Sequence, residues 1–255
     1  MHKLPLLFSI LAAATLVRAA EPPAPNTLTP DEARAGWRLL WDGKTSTGWR
    51  GANLDTFPDK GWLMKDGVLT IPAAGGVQGA NGGDIVTIET FADFELTVDF
   101  RLTPNAKSGI KYCVDPAAPK GPATSLGLQY HLVDDATNPD AKLGTNGNRN
   151  LGSLYDLYPA ANNKKFNPPG AWNTARVVVR GNHVEHWLNG AQILAFDRDS
   201  DEFRQHLQES KYKTVAGFGL APAGRILLQD HGYEVSFRNL KIRILPPATE
   251  AKTKV

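Results

Sequence analysis

Arg225–Ile244, RILLQDHGYEVSFRNLKIRI, holds two strand patterns joined by a glycine turn. Along the first, Ile226, Leu228 and Asp230 point one way while Leu227, Gln229 and His231 point the other, so a polar cluster sits at a strand end. Along the second, Val235, Phe237, Leu240, Ile242 and Ile244 are set against Ser236, Lys241 and Arg243, giving one buried and one wet face. The phase slip between Phe237 and Leu240 predicts a bulge. This last strand is expected in a sheet interior or beside the first strand, with Gln229 and His231 over the centre of a sheet face.

The same alternation recurs upstream. Phe94–Leu102 sets Phe94, Leu96, Val98, Phe100 and Leu102 against Glu95, Thr97, Asp99 and Arg101. Ser108–Val114 places Ile110, Tyr112 and Val114 opposite Lys111 and Cys113, and Leu126–Leu132 places Leu126, Leu128, Tyr130 and Leu132 opposite Gly127, Gln129 and His131. If the polar faces adjoin, Lys111, Gln129 and His131 line one surface with Gln229 and His231. Asp66-Gly67 and Asn189-Gly190 are hairpin turns, and Thr174–Arg180 with His183–Leu188 forms another hairpin. Helices are expected only from Thr29-Pro30 and over Asp199–Lys213. At least nine strand candidates with regular turn signals and no internal repeat predict an all-β sandwich of two antiparallel sheets.

The chain has 255 residues, enough for one large core, and residues 31–246 are expected to form one domain. Its 28 basic and 26 acidic residues leave a net charge of +2, which gives no reason to expect nucleic acid or an anionic membrane as partner. His2 and Lys3, the apolar run Leu4–Val17 and small residues at 19–20 predict a secretory leader cut near Ala19, too short to be a membrane anchor. The expected location is therefore periplasmic or extracellular. Residues 20–30 read as a Pro-rich linker and 247–255 as a tail. Cys113 is the single cysteine, so no internal disulfide forms, and a buried small residue is the expected role.

Several constellations compete for the chemistry. His183 and His186 lie three apart in a strand, on opposite faces, and do not chelate one ion; His186 is expected to be a hydrogen-bonded core residue, and Glu185 to face a groove. Six tryptophans offer planes on which sugars stack, and Trp172, after the Pro168-Pro169-Gly170 turn, is the strongest candidate for that use. The loop Asp134–Asn150 is long enough to be either a functional lid or disordered. Gln229-Asp230-His231-Gly232 is either a base or ligand centred on His231, or a turn in which Asp230 and His231 satisfy backbone groups. No Glu-x-Asp-x-x-Glu row, nucleophile elbow, zinc-protease motif, P-loop or dinucleotide fingerprint occurs.

The segments LWDGKTSTGW, FADFELTVDFRL, SGIKY, GLQYHLVDD, GSLYDLYP, PPGAWN, VEHWLNG, SKYK and ILLQDHGYEVSFRNLKI, in this order, resemble the DUF1080, or 3-keto-disaccharide hydrolase, family over about Trp37–Leu245. The resemblance implies a concanavalin A-like jelly roll and cleavage of glycosides already oxidised to a ketone at C3. Where that pattern commonly reads G-L-E-Y-Q, this chain has Gly127-Leu128-Gln129-Tyr130-His131, and His131 can stand in for the missing carboxylate. A C3 ketone acidifies the C2 hydrogen, so a near-neutral base suffices and paired carboxylates are not needed. The expected roles are His231 as base or as ligand to a divalent cation, Lys111 and Gln229 at the enolate, and Tyr155 at the leaving group. Gln129, His131, Asp156, Trp172 and Glu185 are expected to contact substrate. The alternative is a non-catalytic, lectin-like binding module holding sugar through Trp172 and Trp187.

Overall fold

The structure, a computed structural model, describes residues 24–117 and 125–247. The expected leader, the start of the linker and residues from 248 onward lie outside these. The elements run α1 (Pro30–Arg34), β1 (Trp37–Leu39), β2 (Trp49–Gly51), β3 (Leu63–Lys65), β4 (Val68–Ile71), β5 (Ile85–Thr87), β6 (Phe94–Leu102), β7 (Lys107–Val114) and β8 (Leu128–Val133). Then come β9 (Asn173–Arg180), β10 (His183–Leu188), β11 (Ala191–Asp197), α2 (Asp201–Glu209), β12 (Arg225–Leu228) and β13 (Val235–Ile244). Among the described residues these make an eight-stranded sheet, β11-β10-β9-β6-β13-β4-β3 with β1 also on β13, and a five-stranded sheet, β2-β5-β12-β7-β8. The pairings are antiparallel, as the alternating patterns require.

The two strands of the deciding stretch lie in different sheets. β13 is interior to the larger one, paired with β6 on one side and with β4 and β1 on the other. Its expected bulge is present between Arg238 and Lys241, where Asn239 has φ 52°, and it separates the part that β4 covers from the part that β1 covers. β12 is the middle strand of the smaller sheet. Between the sheets, Phe94, Leu96, Val98 and Phe100 of β6 and Phe237 and Ile242 of β13 share one core with Ile110, Tyr112, Leu128, Tyr130, Ile226 and Leu228. Burying such side chains at about 25 cal/mol per Å² of apolar surface is what holds the layers together.

Three local readings change. Cys113 adopts φ 51°, and the β7–β12 register shifts at the same level, so Cys113 turns into the main core while Val114 joins Ala52, Val86 and Leu227 on the other face. Strict alternation had put them the other way round, and the irregularity reverses the phase. The Cys113 thiol is buried beneath Arg198, whose Nη1 lies 3.3 Å from Sγ. β5, a three-residue strand, carries no alternation long enough to register in the sequence. Asn26, within the stretch read as linker, is tied down: its backbone N donates to Asn239 Oδ1 at 2.6 Å, its Nδ2 donates to Gly67 O at 2.8 Å, and its Oδ1 accepts from the Asn239 N–H at 2.8 Å.

His186 is fully buried, accepting from Tyr112 OH at 2.7 Å on Nε2 and donating from Nδ1 to Gly152 O at 2.8 Å. Burial holds its pKa down at about 4, against about 6.5 for an unfolded histidine. The unfolded chain therefore takes up the proton first as pH falls, so this stabilisation is complete above about pH 6.5 and is lost towards pH 4. The full change is about 3 kcal/mol. His231 is displaced in the same direction, so the part due to His186 is read by comparison. Urea midpoints taken between pH 7 and pH 4.5 should fall less steeply for His186→Gln than for the parent. Equal slopes would mean that the buried imidazole does not govern this acid limb.

Candidate active site

The outer face of the smaller sheet carries the polar residues that the alternation set aside. Register pairs Lys111 with both Gln129 and Leu227, and Gly109 with His131, while Gln229 donates its backbone N–H to Gly109 O at 3.0 Å. Antiparallel partners share a face, so Lys111, Gln129, His131 and Gln229 converge. Gly109 leaves the room that the Gln129 side chain occupies, since a Cβ there would lie 2.7 Å from Gln129 Cδ. A cavity of about 290 Å³ stands over this platform, lined by those four residues and by His231, Tyr155, Asp140, Lys211, Tyr212 and Gln78, among others.

Segment 150–158 forms one wall by running irregularly along the edge of β8. Gly152 N donates to His131 O, His131 N to Ser153 O, and Tyr155 N to Gln129 O, at 2.8, 3.1 and 3.0 Å. Tyr155 thereby packs its ring 4.6 Å from that of His131. The polar loop Asp134–Asn150 is ordered. Asp134 Oδ2 accepts from Asn105 N at 2.9 Å, and Asn138 caps a 3-10 turn, Pro139–Lys142, through Asp140 N at 3.0 Å. That turn delivers the carboxylate that sequence reasoning missed. Asp140 lies 3.4 Å from His131 Nε2, 3.5 Å from Lys107 Nζ and 3.4 Å from both Arg149 Nη1 and Tyr155 OH. Burial works against its ionisation, but His131, Lys107 and Arg149 outweigh that and hold its carboxyl well below the usual carboxylate range.

Gln129 Nε2 lies 3.0 Å from His131 Nδ1, which makes Nδ1 the acceptor and leaves the ring proton on Nε2, facing Asp140 Oδ2. His131 is thus held on Nδ1 by Gln129, its Nε2 facing Asp140 without a hydrogen bond, and burial lowers its pKa. His231 differs. Its Nδ1 is buried with no hydrogen-bond partner, and burial, followed by the nearby Lys107 charge, lowers its pKa to about 4. Gln229 likewise has an unpartnered buried oxygen, Oε1, an acceptor suited to a sugar hydroxyl rather than to an enolate.

Lys111 donates to Ser125 O at 2.7 Å and faces Asp84 Oδ2 at 3.9 Å. Burial draws both members of this pair towards neutrality, lowering the lysine and raising the aspartate, each opposed by the other's charge. Lys211, the second residue missed, has an exposed chain, but its ammonium lies 4.3 Å from the centre of the Tyr155 ring. Desolvation there, together with the Lys111 charge, brings its pKa to about 8. Burial and the Asp140 charge push Tyr155 up to about 12, so its phenol keeps its proton.

Three expected contacts are not in the cavity. Trp172 is clamped beneath Arg101 and Arg238, 4.8 and 4.2 Å from its ring, beside strands of the larger sheet. Glu185 accepts from Trp187 Nε1 at 2.6 Å on that same sheet, and Arg176 covers the Trp187 ring at 4.5 Å. Alternation told which residues share a face but not which sheet that face belongs to. Asp156 stands behind the site, accepting from Arg149 Nε at 2.8 Å and Lys211 N at 2.9 Å, and so positions two cations without lining the cavity.

Asp230 is fully buried and organises the strand end. Its Oδ2 accepts from Asn81 N at 2.8 Å and Gly83 N at 3.2 Å, and its Oδ1 from Gly232 N at 3.0 Å. The turn reading therefore holds for Asp230, while His231 faces the cavity. Among the described residues no three His, Cys, Asp or Glu side chains converge as a metal-ligand set, and none of their helices is long and apolar enough to cross a membrane.

Solved structures described as glycosyl hydrolases superpose on this sandwich, and that likeness sets the chain among carbohydrate-active hydrolases. A candidate glycosyl hydrolase from Parabacteroides distasonis matches with a TM-score of 0.74 and 30% identity, over 87% of this chain and 100% of that one. A second from the same organism matches at 0.62 and 25%, over 82% and 99%. The chain belongs to the 3-keto-alpha-glucoside-1,2-lyase-like domain family, whose profile matches residues 36–243. A 3-keto-disaccharide hydrolase from Bacteroides thetaiotaomicron is 33% identical over 230 residues, 82% of this chain and 79% of the relative.

Proposed function

We propose that the protein cleaves the glycosidic bond of 3-keto-glycosides by elimination and hydration, after export to the periplasm or beyond. The observation that carries this reading is the His231 imidazole, which lines a cavity and has no hydrogen-bond partner on Nδ1, while Asp140, the one carboxylate among the described lining residues, is already held by cations. Such a site suits removal of an acidified C–H more than hydrolysis by two carboxylates across a cleft.

The His231 imidazole takes the C2 proton, and the electron pair moves into the C2–C3 bond to give an enolate. The Lys111 ammonium, fixed on Ser125 O, is the group that meets its negative charge. As the C3 carbonyl re-forms, the C1–O bond breaks and the departing oxygen takes a proton from Lys211. Tyr155 had been the expected donor, but its hydroxyl faces Asp140 and its ring serves to seat Lys211. Water then adds to C1 and C2 regains a proton, leaving free 3-keto sugar and the alcohol. Gln129 fixes His131, and His131 and Gln229 supply polar contacts to the sugar.

Incubation with a 3-keto-glucoside in D₂O should release the alcohol and place deuterium at C2 of the keto sugar, whereas the unoxidised glucoside should remain intact. Equal cleavage of the unoxidised compound, or release without deuterium at C2, would overturn the elimination route.

A further inference from the structure

A second cavity, of about 200 Å³, adjoins the first and shares Leu126 and Val215 with it. It lies further along β7 and β8, beyond the level of Lys111 and Gln129, where the strands reach Cys113 and Gly127. Its side chains are of a different kind. Where the first cavity presents two imidazoles, two ammonium groups, a carboxylate and three amides, the second is walled by the side chains of Leu126, Val215, Ala216, Phe218 and Ala221 and by the bare backbone of glycines. Gly127 is held to hydrogen there, because a Cβ would lie 2.7 Å from Val114 Cγ2 and 2.8 Å from Tyr112 O. The two polar side chains among the described lining residues are both engaged. Cys113 Sγ meets Arg198, and Asp115 Oδ1 accepts from Ala117 N at 2.8 Å.

We infer that this apolar cavity receives the leaving group, so that the preferred substrates are keto-glycosides of hydrophobic, ring-sized alcohols rather than of a second sugar. The inference rests on the elimination reading above. A hexose entering here would meet few free side-chain partners among the described residues, and each hydroxyl buried unpaired costs free energy. An apolar ring would instead exchange water for Leu, Val and Phe surface. The volume is adequate, since an apolar cavity of about 150 Å³ holds a benzene ring. Lys211 lines the first cavity, next to Tyr212 and four residues from Val215, which lines both.

The test compares 3-keto-glucosides bearing methyl, cyclohexyl or glucosyl at O1. Methoxide and cyclohexyloxide leave with similar intrinsic ease, so their difference reads the cavity. The cyclohexyl compound should have a KM at least about tenfold below those of the methyl and glucosyl compounds. Ala216→Trp, which fills the cavity without touching the catalytic groups, should erase that advantage and leave methyl turnover unchanged; Ala221→Trp should do the same from another wall. Turnover of all three compounds with equal KM, or equal losses on all three in both variants, would overturn the inference while leaving the elimination reading intact. Turnover of none would overturn that reading and the inference with it.

Discussion

Replacing His231 with Ala should lower kcat for a 3-keto-glycoside by about 10²–10⁴-fold, the range a positioned general base supplies, with a much smaller change in KM. Deuterium exchange at C2 should disappear together with product release. His131 cannot take over, since Nδ1 is occupied by Gln129 and Nε2 faces Asp140. The pH profile supplies an independent sign. His231 acts in its neutral form, and because its pKa is lowered to about 4, kcat/KM should hold through neutrality and fall only as pH drops towards 4. A variant retaining more than a third of wild-type turnover would remove His231 from the role.

Asp230→Ala should cost about 3 kcal/mol or more, because three backbone N–H groups, those of Asn81, Gly83 and Gly232, lose their buried acceptor. In a domain of this size that corresponds to a fall in Tm of roughly 6–12 °C. The same carboxylate ties segment 79–83 to the strand end that carries Gln229 and His231, and Gln78 of the cavity wall adjoins it. Asp230→Asn keeps one carbonyl oxygen and should lose less than half as much. Thermal melts of the two variants decide the matter: a loss below about 1 kcal/mol for the alanine variant would show that the loop is anchored elsewhere.

The contrast between these aspartates shows where legibility in the sequence ends. Lys111, Gln129, His131, Gln229 and His231 could be gathered from alternation alone, since a two-residue period assigns faces and antiparallel neighbours align them. Asp140 could not be. It arrives through a polar loop whose course depends on Asn138 and Asp134 finding backbone partners around Asn105, contacts that leave no periodic trace. Lys211 enters from the end of α2 for the same reason. Trp172 and Glu185 fail in the opposite way, because their chemistry suits sugar but their faces belong to the other sheet. Fold class, strand limits such as Phe94–Leu102 and Val235–Ile244, and the bulge within the last strand were local or periodic properties, and those survive intact.

The position of β13 also bears on how the molecule is assembled in time. It is the last of the described strands, yet it lies between β6 and the pair β4 and β1. Without residues 235–244 the larger sheet falls into three parts, β11-β10-β9-β6, β4-β3 and β1, each with an open edge able to pair with a foreign strand. Its closure then joins positions as distant as Asn26 and Asn239, 213 residues apart. Contacts of that range are slow to form. The larger sheet is thus closed by one late strand, and the edges of β6, β4 and β1 stay open to other pairings until β13 lies between them.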